Sequence, residues 1–175
     1  MKKSIFKSAA LIVLALTAFS FTIISNKKVN VKDSNITWKA YKVTGEHEGN
    51  IILEDGLLTF NDKELTGGNF TMDMTTINVT DLEGDSKGKL EGHLHSDDFF
   101  STAVHTKSTF VITKVDGKNG YYQVTGDLTI KGITNENTFN MSIKDNSAKA
   151  FLKVDRTKYD IKYGSASFFD GLKDK

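Results

Sequence analysis

His93 and His95, two residues apart, come nearest in this chain to metal chemistry, with Asp97 and Asp98 just beyond them and His105 and His47 farther off. Imidazole nitrogens and carboxylate oxygens are common ligands of zinc-like ions. On a strand, a His-x-His pair puts both rings on one face; on a helix, the rings diverge. Leu90 and Leu94 stand four apart, which places this stretch on a helix and argues against chelation. The alternative is a polar segment whose histidines meet water or backbone groups, and no metal is expected. Asp155-Arg156 is the second polar candidate. Arg156 either pairs with a carboxylate from another strand or reaches the oxygen of a bound head-group. The chain has no glycine-rich phosphate loop, no nucleophile elbow and no HExxH helix. No catalytic constellation is present and no enzyme is expected; an enzyme built on His93, His95 and Asp97 would require a bound ion.

Two adjacent aromatic pairs, Phe99-Phe100 and Phe168-Phe169, fall between the regular elements. In an extended segment only one ring of each pair faces inward, so the other covers a rim, seals a barrel end or touches a partner or membrane.

Composition narrows the function classes. With 23 basic and 22 acidic residues, nothing argues for nucleic acid or a strongly anionic surface as partner. The absence of cysteine excludes disulfides and lipid attachment through a cysteine. Lys2, Lys3 and Lys7 precede an apolar run over 9–24, with small residues at Ala18 and Ser20. Residues 1–25 therefore read as a signal peptide, with an uncleaved anchor as the alternative. Export to the periplasm follows as an expectation. Residues 26–32 read as a polar linker and 33–175 as one domain.

The elements that must position any site are strands. Ile36, Trp38 and Ala40 alternate with polar neighbours; Ile51 and Leu53, then residues 57–60, form two pieces around an expected Asp55-Gly56 turn. Residues 68–77 point Phe70, Met72 and Met74 one way. Between 81 and 100 the period changes, and a short helix is expected, capped by Asp85 or Ser86. Strands resume with Phe110 and Ile112. A turn over 116–120 follows, then a strand with Tyr122, Val124, Gly126, Leu128 and Ile130 on one face, Lys131-Gly132 as the next turn, and runs through Phe139, Met141 and Ile143 and through Ala148, Ala150, Leu152 and Val154. Short strands joined by tight turns define an all-β fold, an extended antiparallel sheet of seven to eight strands with one short helix in a loop.

Such a sheet buries its apolar face by curling on itself, and at about eight strands the interior is either filled by side chains or holds one small ligand. The expected inward set is Trp38, Ile51, Leu53, Phe70, Met72, Met74, Phe110, Ile112, Val124, Leu128, Phe139, Met141, Ile143 and Leu152, joined by Phe99 from the loop. It contains no charge. Residue types alone leave both outcomes open, because methionine adapts to apolar ligands and fills core gaps equally well.

Five ordered motifs decide between them by resemblance: GEHEG at 45–49, GNFTMDMTTI at 68–77, KLEGHLHSDDFF at 89–100, GDLTIKGIT at 126–134 and VDRTKYDIKYGS at 154–165. Together they resemble the YceI-like family of secreted bacterial proteins, over roughly residues 31–175. The resemblance implies a lipocalin-like barrel with a long apolar tunnel for a polyisoprenoid lipid such as a quinone or polyprenyl chain. The ligand would be the sole bound group, with no cofactor. Transient membrane contact and a homodimer complete the partner expectations. Two departures stand out. The family's proline before the equivalent of residues 108–110 is missing here, and the chain ends at Lys175, before the strand with which relatives close the barrel. The expected consequence is an open seam, or closure by a swapped strand or dimer.

Overall fold

The structure is a computed structural model that describes residues 23–42 and 45–162. Residues 1–22 of the signal peptide expected over 1–25, the Phe168-Phe169 pair and the expected absence of a closing strand lie outside the described residues.

Eight strands form one antiparallel sheet: β1 (Ile24–Lys28), β2 (Ile36–Lys42), β3 (Gly45–Asn61), β4 (Glu64–Val79), β5 (Lys107–Lys118), β6 (Tyr121–Ile130), β7 (Ile133–Lys144) and β8 (Ser147–Phe151). The order is β1-β3-β4-β5-β6-β7-β8, with β2 paired to the other half of β3. The sheet curls into a half-barrel, and helix α1 (Gly84–His95) crosses from β4 toward β5.

Two-residue hairpins set the registers. Asn119-Gly120 joins Lys118 to its partner Tyr121, and Lys131-Gly132 joins Ile130 to Ile133. Both residues of each loop have positive φ, 56° and 83° at the first and 52° and 75° at the second, so each turn matches the twist of its strands.

Three expectations are corrected. Asp55-Gly56 is no turn: β3 runs unbroken for 17 residues, and Gly56 pairs with Phe70 inside the β3/β4 ladder. The strand instead absorbs the change of direction through register shifts at Asn50/Ile52, Leu53/Asp55 and Thr59/Phe60. The first half of residues 26–32, read as a linker, lies along the sheet, and the stretch ends in a 3-10 turn at Val31–Asp33. Asn26, Lys27 and Lys28 pair with Thr59, Leu58 and Leu57, and the Val29 amide donates to the Gly56 carbonyl at 2.8 Å. The helix begins after Glu83, whose side chain makes no capping bond, so neither Asp85 nor Ser86 is the cap.

β4 also carries an irregularity that periodicity does not announce. Asp73 Oδ1 accepts from the Thr75 amide at 3.0 Å and from its hydroxyl at 2.6 Å, while Thr76 Oγ1 accepts from the Ile52 amide at 2.9 Å. These side-chain bonds stand in for ladder bonds. The inward parity consequently jumps from Met74 to Ile77 and Val79, all three of which are buried.

Candidate functional site: the concave face

Register builds the concave face row by row, since residues opposite one another in an antiparallel ladder share a face. Gly56, Phe70, Phe110 and Leu128 form one row, and Tyr122, Met141 and Ala150 another. Glycines in the rows admit large neighbours. A Cβ on Gly126 would lie 2.5 Å from Phe110 Cζ, and one on Gly49 would lie 2.6 Å from the Trp38 ring, so both aromatic rings rest directly on strand backbone.

All fifteen expected inward residues fall on or against this face, but not equally deep. Leu53, Met74, Phe110, Ile112, Val124, Leu128 and Met141 are buried, whereas Trp38, Ile51, Phe70, Met72, Phe99, Phe139, Ile143 and Leu152 are half-buried. They divide into a main cluster around Phe110, Val124 and Leu128 and a smaller one of Ile77, Val79 and Leu94 under α1. Phe99 and Phe100 pack against both clusters, with ring centroids 4.9 Å apart in an edge-to-face contact. Both rings therefore face inward, contrary to the one-in, one-out expectation. The segment turns after His95 rather than running extended, with the Phe100 amide donating back to the Leu94 carbonyl at 3.2 Å.

Several buried residues were not anticipated. Leu58, Phe60 and Leu65 join the main cluster, and so do Tyr159 and Ile161, which are 1% and 0% exposed. A 3-10 turn, Arg156–Tyr159, lays these last two against β7, where Asn137 Nδ2 donates to the Tyr159 hydroxyl at 2.8 Å and Asn135 Nδ2 donates to the Lys158 carbonyl at 3.0 Å. Burial pushes the Tyr159 phenol above its usual pKa. The signal was present in the alternation of Tyr159 with Ile161 beside inward asparagines on β7, but periodicity assigns asparagine to the outside.

Arg156 does not form the cross-strand ion pair. Its guanidinium donates to the Ile161 carbonyl at 2.8 Å and stacks 5.4 Å from the Phe99 ring centroid, and among the described residues no carboxylate lies within salt-bridge distance. It fastens the 3-10 turn to the aromatic pair.

The histidines are dispersed. His93 and His95 lie on α1; His95 Nδ1 is 2.8 Å from Thr102 Oγ1, and His93 stands edge-on to Phe99. His47 is 2.8 Å from Asp81, at the start of β3, and this contact together with the Glu48 amide holds the Asp81 carboxyl below its usual pKa. Among the described residues no three His, Asp or Glu side chains gather as a metal site. At the opposite end, the Tyr122 hydroxyl donates to Glu64 Oε2 at 2.8 Å and accepts from the Leu65 amide at 3.3 Å, linking two hairpins; desolvation and the Glu64 carboxylate raise the Tyr122 pKa. An open cleft of 590 Å³ runs across β6, β7 and β8 between Tyr121 and Phe151, and its lining includes Tyr122, Met141 and Ala150 of the concave row.

A curled antiparallel sheet with an uncharged concave face and one covering helix defines a lipocalin-like barrel protein. Residues 27–175 match the YceI-like domain, and the chain belongs to the YceI-like family. A UPF0312 protein of Vibrio parahaemolyticus is 30% identical over 144 residues, covering 77% of this chain and 70% of that protein. Protein YceI of Escherichia coli O157:H7 is 34% identical over 82 residues, 46% of this chain and 40% of that protein. The crystal structure of Burkholderia cenocepacia BcnA superposes with a TM-score of 0.66 at 19% identity, covering 81% of this chain and 89% of that one, a likeness of fold.

Proposed function

We propose that this protein carries or sequesters a long apolar isoprenoid lipid of the quinone or polyprenyl type on its concave face, in the periplasm and without catalysis. The observation that carries the reading is the half-burial of eight large apolar side chains on a face where the described strands place no charge. Apolar surface left partly uncovered on the inside of a curled sheet is surface a guest can cover. Each methylene of such a guest contributes up to ~0.8 kcal/mol on burial, before the cost of ordering it, so affinity comes from the tail. Family membership supports a lipid-binding barrel, and the isoprenoid cargo is the finer proposal.

A second reading has its own support. Tyr159 and Ile161 fill part of the main cluster from within the chain, as in a barrel with no cargo that binds a protein partner through its loops. Native mass spectrometry of protein purified from its export compartment separates the two. The carrier should hold extra mass that leaves on solvent extraction and fragments as a prenyl lipid. A processed chain that stays ligand-free after incubation with quinones and polyprenols would remove the carrier reading. The same spectrum reads signal cleavage and the homodimer.

A further inference from the structure

We propose that the oxygen-bearing head of the lipid is received at the α1 end of the half-barrel, where the indole N–H of Trp38 donates a hydrogen bond to it after the α1 segment lifts; the inference rests on the carrier reading above. Trp38 Nε1 is buried and has no hydrogen-bond partner among the described residues. The ring is held in place from below, because a Cβ on Gly49 would fall 2.6–2.7 Å from its Cζ2 and Cε2. Its surroundings are the apolar cluster of Ile77, Val79 and Leu94 with Ile51. A buried donor left unmade is costly, and native structures keep such groups where a ligand or ordered water completes them. A hydrocarbon tail offers no acceptor, so the group that completes this one is the head.

The chemistry of these surroundings selects an uncharged oxygen: a carbonyl, an ether or a hydroxyl. A phosphate would leave its charge unpaired among apolar side chains. The carboxylates at this end repel an anion, Glu91 accepting from the Val79 amide at 2.9 Å and Asp81 lying beside His47, and the lysines there are already engaged, Lys87 with Glu91 and Lys39 with Glu46 and Glu48. Arg156, which stacks on Phe99, likewise donates to the Ile161 carbonyl.

The cover over this donor is weakly built. Leu94 is the one buried residue of α1, and the Glu83 side chain makes no capping bond. Gly88 and Gly92 sit in the helix with open space where a Cβ would stand, so packing does not ask for glycine there, while each glycine weakens the helix. Such an element opens locally at lower free energy than the sheet beneath it.

Trp38 is the sole tryptophan, so its indole N–H gives a single side-chain resonance in a nitrogen–proton correlation spectrum. The experiment compares geranylgeraniol with the C20 hydrocarbon of the same skeleton. The alcohol should move the indole proton downfield and bind about tenfold more tightly, the value of one hydrogen bond, while the hydrocarbon binds without that shift. Trp38→Phe should retain hydrocarbon binding and lose the preference for the alcohol. Binding of both lipids with an unmoved indole proton, or with the preference intact in Trp38→Phe, overturns the head placement and leaves the carrier reading standing. Failure of either lipid to bind overturns the carrier reading and this inference with it. The spectrum of the wild-type chain decides the question even where the variant does not fold.

Discussion

Gly126→Ala is expected to destabilise the protein through a single methyl group. Gly126 is buried on the concave face of β6, opposite Ile112 on β5, and its φ lies outside the left-handed region, so alanine introduces no backbone strain. The new Cβ would stand 2.4 Å from the Val111 carbonyl oxygen and 2.5 Å from Phe110 Cζ, roughly an ångström inside ordinary contact. Overpacking of this kind costs about 1–3 kcal/mol, and the lower entropy of an unfolded alanine offsets about 0.4–1 kcal/mol. The net loss is about 1–2 kcal/mol, which for a domain of this size lowers Tm by roughly 2–8 °C. Urea unfolding followed by circular dichroism, with thermal melts alongside, measures it. Combining Gly126→Ala with Phe110→Leu removes the ring atoms from the clash and leaves the carbonyl contact, so the double variant should lose less than the two single losses added. An unchanged or raised stability in Gly126→Ala would falsify the placement of the Phe110 ring over β6, and with it the register that defines the concave face.

Three further outcomes follow from the same geometry. Tyr122→Phe strands the Leu65 amide and removes a bond to Glu64, at a cost of about 1–2 kcal/mol. Because the Tyr122 pKa is raised above 10.0 in the folded chain, its contribution is present below that value and is lost as pH rises through the folded pKa. Melting curves from pH 8 to 11 should fall in the wild type and fall less steeply in Tyr122→Phe; parallel curves would refute this. Asp81, held below 3.8 by His47, contributes stability above that value which disappears as pH falls through its lowered folded pKa, so Asp81→Asn should flatten the acid limb of a stability profile between pH 5 and 2. Gly88→Ala and Gly92→Ala meet open space and should each stabilise α1 by about 1 kcal/mol, read as roughly fivefold slower amide exchange confined to the helix. The same pair should slow lipid uptake if the helix is the cover, and unaltered uptake with a firmer helix would place the entry elsewhere.

The regular elements were legible because their signals are local. Tyr122, Val124, Gly126 and Leu128 read as one face of a strand and prove to be one, and Lys131-Gly132 reads as a hairpin turn and shows the positive φ that such turns require, whereas the turn read over 116–120 shrinks to Asn119-Gly120 because β5 stays paired through Lys118. The helix between β4 and β5 was visible in the spacing of Leu90 and Leu94, and it carries His93 and His95 on a helical rather than an extended backbone. Asp55-Gly56 misled for a related reason. The dipeptide favours a turn, but Gly56 lies opposite Phe70, and the long ladder with β4 outweighs a local preference of about a kilocalorie.

From the sequence alone follow the all-β class, the hairpins, the single helix and an uncharged inward set, since period-two patterning and turn chemistry act between residues close in the chain. The tertiary structure alone decided where parity slips, at Asp73-Thr76 and along β3, because a bulge is fixed by the strand opposite it. It also decided that Tyr159 and Ile161 turn inward, that Arg156 caps a carbonyl beside Phe99, that His47 meets Asp81, and that Trp38 Nε1 is left buried without a partner among the described residues. None of these is announced by the pattern along a strand: His47 and Asp81 meet through the β3/β4 register, Arg156 reaches Ile161 within its own turn, and Tyr159, Ile161 and the Trp38 indole find their surroundings only when separate elements pack on the curled sheet.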